Sequence, residues 1–179
     1  MKNLFLLSSF SLLLFSCVQV RGIGDDYKHL GENEKSMIVP YKLATDFSRK
    51  NVYKINAEEL KDALQKHPKA FVYVFTQGCS SEYCLPLSVY EGYAKKNGYK
   101  VFFVMTSYKD LDLALLEPIS EPLYVIDSNY YKHKLFRKYV EHFENELKGR
   151  DRTAKVETFE SLHFFENGEY KFSSYGLPK

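Results

Sequence analysis

The chain has 179 residues, 45% of them hydrophobic, 16% aromatic and 27% charged. That length suits one domain, and the apolar share excludes a wholly disordered chain. Lys and Arg number 25 against 23 Asp and Glu, a net +2 with both signs scattered, so composition gives no reason to expect nucleic acid or a polybasic membrane patch. The N-terminus reads as an address. Lys2 supplies a positive start, and Leu4 to Phe15 is a 12-residue apolar run broken only by Ser8, Ser9 and Ser11. A helix that spans a bilayer needs about 20 such residues, so this run reads as a signal peptide.

The run ends Leu14-Phe15-Ser16-Cys17, which resembles the lipobox of bacterial lipoproteins. That resemblance implies cleavage before Cys17, diacylglycerol and palmitate-type acyl chains on it, and anchoring to a bilayer of the cell envelope. Val18 lacks the aspartate of some inner-membrane lipoproteins, so the outer membrane, facing the periplasm, is the expected location. The alternative is an ordinary secretory peptide whose Cys17 is incidental. Three cysteines is an odd count; acylation of Cys17 would leave Cys79 and Cys84 as a pair. The expected organisation is a signal peptide over 1–16, a lipid-anchored tether over 17–50 and a folded domain over 51–179. Within the polar tether, Met37 to Tyr41 either stays flexible or pairs as a short strand.

From Asn51 onward strand and helix signals alternate. Val52 to Ile55 has period two and predicts a strand. Asn56, with Glu59 three residues on, forms a capping-box signature before Leu60, Ala63 and Leu64 at helical spacing, and Pro68 stops that helix. Ala70 to Thr76 is a continuous apolar and β-branched run, predicting a strand buried on both faces. Leu87, Tyr90, Tyr93 and Ala94 make a helical stripe ending at Asn97-Gly98. Tyr99 to Met105 predicts a second buried strand, Asp110 to Leu116 a short helix, and Leu123 to Ile126 a third. Asp127-Ser128-Asn129 is expected to cap one long helix with Phe136, Val140, Phe143 and Leu147 on its apolar face. Leu162 to Phe172, turning at Asn167-Gly168, predicts a hairpin. The expected class is α/β, with a central mixed sheet and helices on both faces.

This order, with Cys79 and Cys84 after the buried strand ending Phe75-Thr76, resembles the thioredoxin fold over about residues 51–173. The strand and helix of 122–148, before the C-terminal hairpin, resemble an insertion found in envelope-tethered, thioredoxin-like thiol–disulfide oxidoreductases. The resemblance implies a three-layer sandwich whose Cys79 attacks disulfides as a thiolate and whose Cys84 resolves the mixed disulfide. It implies envelope protein thiols or disulfides as partners and no cofactor, since the dithiol carries the electrons.

The chain departs from the family pattern in its cysteine spacing, at Glu82 and at a missing proline. Four residues, Ser80 to Tyr83, separate the cysteines where the family has two. Positions five apart on a helix differ by about 140°, so two bonded cysteines cannot share one helix, and Cys79 is expected in the loop. Pro86 delays the helix start, and Glu82 opposes thiolate formation. The stretch Thr158 to Ser161 lacks the proline that the family keeps before its hairpin. Two readings therefore stand side by side: a redox-active pair, or a structural disulfide in a non-catalytic binding or scaffold lipoprotein. No metal site is expected, because the loop from Arg150 to Glu160 holds no histidine. His133 and His142 are read as a solvated helix face, and His67 and His163 as structural. Tyr130, Tyr131 and Tyr175 are expected at the surface.

Overall fold

Alternation along the inner strands decides the architecture. The computed structural model describes residues 22–79, 84–156, 158 and 160–178. Its strands are β1 (Ile38–Pro40), β2 (Val52–Ile55), β3 (Lys69–Phe75), β4 (Lys100–Met105), β5 (Leu123–Ile126), β6 (Leu162–Glu166) and β7 (Glu169–Ser174). They form one mixed sheet in the order β1-β2-β5-β4-β3-β6-β7. The first five strands of that order run parallel, and the β6–β7 hairpin joins antiparallel against β3.

On β3, Phe71, Tyr73 and Phe75 enter one core while Ala70, Val72 and Val74 enter the other. Strand β4 does the same with Val101, Phe103 and Met105 against Phe102 and Val104. Each fully buried side chain of this size stabilises the fold by about 1.5–3 kcal/mol, which is why the inner strands read as unbroken apolar runs. The helices are α1 (Glu32–Ser36), α2 (Ala57–Leu64), α3 (Leu87–Asn97), α4 (Leu111–Leu115), α5 (Ser128–Tyr131) and α6 (Phe136–Leu147). Helices α3 and α4 cover the first face through Leu87, Tyr90, Leu111 and Ala114. Helices α2 and α6 cover the second through Leu60, Leu64, Tyr139 and Phe143. The expected α/β class, with helices on both faces of a mixed sheet, is what the chain adopts.

The long helix expected from Asp127 onward is two helices. Asp127 caps only the single turn α5, its carboxylate accepting the Asn129 N–H at 3.1 Å. Lys132 then turns left-handed at φ 55°. Two tertiary contacts favour the break: the Tyr131 hydroxyl accepts the Ala57 N–H at 3.0 Å, and the Phe136 N–H is taken by the Ile23 carbonyl at 2.8 Å. Tyr131, expected at the surface, is thus buried; Tyr130 is half-buried and Tyr175 exposed.

Much of the stretch assigned to a tether lies on the sheet. Ile38–Pro40 pairs with β2 as an edge strand, the second of the two alternatives open in the sequence, and Leu30 is buried in the first core. Residues 1–21, with the signal peptide and Cys17, lie outside the described residues. Among the described residues no helix is long and apolar enough to cross a membrane.

Candidate functional site

Cys79 and Cys84 are bonded to each other, with Cα atoms 6.0 Å apart. The bridge forms because Cys79 stands in the loop after β3 while Cys84 precedes α3, so no helix has to place both. Cys79 is exposed and Cys84 is half-buried.

The loop is fixed from both sides. Upstream, the Thr106 N–H donates to the Phe75 carbonyl at 2.8 Å, and the Thr76 and Thr106 hydroxyls lie 2.8 Å apart, tying the ends of β3 and β4 together. Gly78 turns left-handed at φ +78°, and a Cβ there would stand 3.2 Å from the Asp110 carboxylate. Glycine is what lets the chain pass this close to the start of α4. Downstream, α3 begins at Leu87 with Pro86 at its cap and no side chain capping it. The Leu85 N–H reaches the Tyr90 hydroxyl at 3.5 Å, and Tyr90 stacks on Tyr73 with ring centroids 4.1 Å apart. Burial, with a hydrogen bond to Tyr90, pushes the Tyr73 hydroxyl well above its usual range, so it stays protonated and packs as a neutral ring.

Cys84 lies three residues before the first helical residue, so its sulfur stands outside the first turn, where the helix-end effect is concentrated. The intervening Ser80 to Tyr83, including Glu82, lie outside the described residues. The remaining sequence candidates fall apart in space or turn inward. His163 is fully buried, while His67 sits with its ring 5.9 Å from Phe102. His133 and His142, nine residues apart and read as a wet helix face, meet edge-to-face at 4.7 Å because the helix breaks between them. Among the described residues no group of three or more His, Cys, Asp or Glu side chains is placed to hold a metal ion.

Sequence reasoning missed two features. Asp110 closes on the cysteine loop from a separate element, a contact no local pattern signals. A polar chain, buried at Lys148, Glu144 and His163 and half-buried at Ser173 and Tyr170, links α6 to the hairpin. Its only trace in the sequence is His163 within an otherwise apolar strand.

Comparison of the chain with protein-family models, with curated proteins and with solved structures finds no match in any of the three.

Proposed function

We propose that this protein is a lipid-anchored envelope protein that exchanges thiols and disulfides through Cys79 and Cys84 on a thioredoxin-like domain. The observation that carries the reading is the bonded pair at the carboxyl end of β3, with its first residue, Cys79, exposed. The element order supports it: β3, disulfide, α3, β4 and a closing hairpin paired antiparallel to β3. The seven-strand sheet is larger than that plan requires, through β1 at one edge and β5 between β4 and β2.

The exchange balances without a cofactor. A substrate thiolate attacks the Cys79 sulfur, the Cys79–Cys84 bond breaks, and Cys84 leaves as a thiolate that takes up a proton. A second substrate thiolate then displaces Cys79. The substrate dithiol becomes a disulfide and the protein a dithiol; the reverse sequence reduces a substrate disulfide. Cys17 supplies the membrane anchor as an acylated cysteine.

Equilibration of the pair against glutathione, with insulin reduction by the wild type and by Cys79→Ser and Cys84→Ser, tests the reading. A reversible couple above about −250 mV, with turnover lost in either variant, supports it. A bond that resists reduction and gives no turnover overturns it in favour of a scaffold stapled by a structural disulfide. Palmitate labelling that persists in Cys17→Ser overturns the anchor.

A further inference from the structure

The two histidines that the helix break brings together stand in a cleft of about 500 Å³, within the range of small-molecule sites. One wall is α6, which contributes Arg137, Lys138 and His142; the other is the segment 152–156 that follows it. His133 comes from the link between α5 and α6. Asn145, buried on α6, holds the walls together by donating its amide to the Arg152 and Ala154 carbonyls at 3.1 and 2.8 Å. The Arg152 guanidinium is held in turn over the Tyr130 and Tyr131 rings, 5.1 and 5.3 Å from their centroids. The cations of both walls therefore line one opening instead of fanning out into solvent.

Charge does not balance across this opening. Arg137 and Lys138 share one carboxylate, Glu141, at 3.0 and 2.9 Å, and among the described residues no other carboxylate lines the cleft. Arg152 pairs with Glu146 from outside the lining. Lys155 lines the cleft and forms no ion pair among the described residues. Asp151, beside the cleft, acts on His142. With all of these counted as full charges, four cations meet three carboxylates before either imidazole takes a proton.

His142 feels the same imbalance. Its Nδ1 is buried and has no hydrogen-bond partner among the described residues. Burial, then His133, Arg152 and Lys138, holds its imidazole below the usual value, with Glu141 opposing. The Tyr131 ring, edge-on with its centroid 6.4 Å away, stays neutral because burial raises its hydroxyl far above the usual range. An anion in the cleft would reverse the balance and let the imidazole take a proton from solvent.

We propose that this cleft binds a doubly charged oxyanion group, of the phosphate-monoester or sulfate kind, between Lys155 and Arg152 on one wall and Arg137 and Lys138 on the other. Binding brings a proton onto His142. No residue of the disulfide loop lines the cleft, so the site does not depend on thiol exchange.

Sulfate, a dianion at every pH used, is the first probe, titrated at constant ionic strength while the His142 ring resonances are followed by NMR. Saturable 1:1 binding is expected at pH 6, about 5-fold weaker at pH 8, with the His142 titration midpoint moving upward on saturation. Nitrate, the monovalent control, should bind about 10-fold more weakly than sulfate. Lys155→Gln, at an exposed position, should weaken sulfate about 3- to 10-fold at both pH values, and His142→Gln should remove the difference between them. Urea midpoints within about 0.5 M of wild type confirm that the variants are folded. Absence of saturable sulfate binding overturns the proposal, as does equal binding of nitrate or indifference to both substitutions. Competition against sulfate then separates the sources of the group. Displacement by phosphatidylcholine vesicles carrying phosphatidate, but not by glycerol 3-phosphate, assigns a lipid headgroup; displacement by glycerol 3-phosphate assigns a soluble ester. Displacement by neither overturns the phosphate assignment.

Discussion

Glu144 and His163 face each other inside the protein, with Oε1 3.9 Å from Nε2 and both residues almost completely buried. The Lys148 ammonium lies 3.5 Å from the other Glu144 oxygen, and the far nitrogen of His163 pairs with the Ser173 hydroxyl at 2.8 Å. His163 Nε2 has no hydrogen-bond partner among the described residues. A charged pair at this depth would carry a large desolvation cost, so the two groups settle toward neutrality. Burial pushes the Glu144 carboxyl up to about 7, with Lys148 opposing the rise and Glu160 and Glu141 adding to it. Burial, with Lys148 and Arg150 nearby, holds the His163 imidazole well below its usual value.

These opposite shifts give opposite pH dependences. Folded Glu144 keeps a proton that the unfolded chain releases above 4.5, so its contribution is full below that pH and is lost as pH rises through 7. Folded His163 stays neutral where the unfolded chain is protonated, so its penalty grows as pH falls below 6.5. Chemical denaturation from pH 5 to 8 reads both. Glu144→Gln should gain on wild type by about 1–3 kcal/mol as pH rises across this span. His163→Gln should lose less stability than wild type between pH 6.5 and 5. Parallel curves for variant and wild type would refute the assignment.

Glu91 titrates the other way. Its carboxylate accepts the Ser120 hydroxyl and N–H, the Glu121 N–H and the Lys95 ammonium, tying α3 to the loop before β5. Burial pushes this carboxyl up, but the hydrogen bonds from Ser120, Lys95 and Glu121 outweigh it and bring it down to about 2. The stabilisation is present above pH 4.5 and disappears as pH falls toward 2. Glu91→Gln should cost about 1–3 kcal/mol at pH 7 and flatten the acid limb of a Tm-against-pH curve.

The hairpin turn docks on the loop before β3. Asn167 donates its N–H to the Pro68 carbonyl at 3.0 Å, and a Cβ on Gly168 would lie 3.0 Å from the Gln65 Cα and 3.2 Å from its N. Gly168 is also left-handed, at φ +80°. Gly168→Ala combines backbone strain with a backbone clash and should cost about 1–3 kcal/mol in urea denaturation.

The Asn56 capping box is reciprocal. Asn56 accepts the Glu59 N–H and Glu59 accepts the Asn56 N–H, each at 3.0 Å. Asn56→Ala should cost about 1 kcal/mol, and Asn56→Gly only a few tenths. Equal Tm losses in the two variants would mean that the side chain does not act as a cap.

Where local chemistry decides structure, the residues announced it. The Asn56/Glu59 cap, the apolar run through Phe75, the Gly98 stop and the Asn167-Gly168 turn each depend on neighbours within a few positions, and each forms where the sequence places it. The break at Lys132 was invisible because it answers to Ala57 and Ile23, far away in the chain. At the cysteines, spacing required Cys79 to leave the helix. Only the fold decided that Asp110 closes on Gly78. The N-terminal segment read as a polar tether by composition, yet it lies across the carboxyl edge of the sheet, where its backbone carbonyls accept the N–H groups of Tyr108 and Phe136. The sequence by itself determined the strands, the caps and the possibility of one cysteine bridge, because those follow from short-range sterics and the alternation of apolar side chains. The tertiary structure alone decided where the N-terminal segment lies and that Glu144 meets His163 inside the protein, because pairing between groups far apart in the chain depends on which surfaces the sheet brings together.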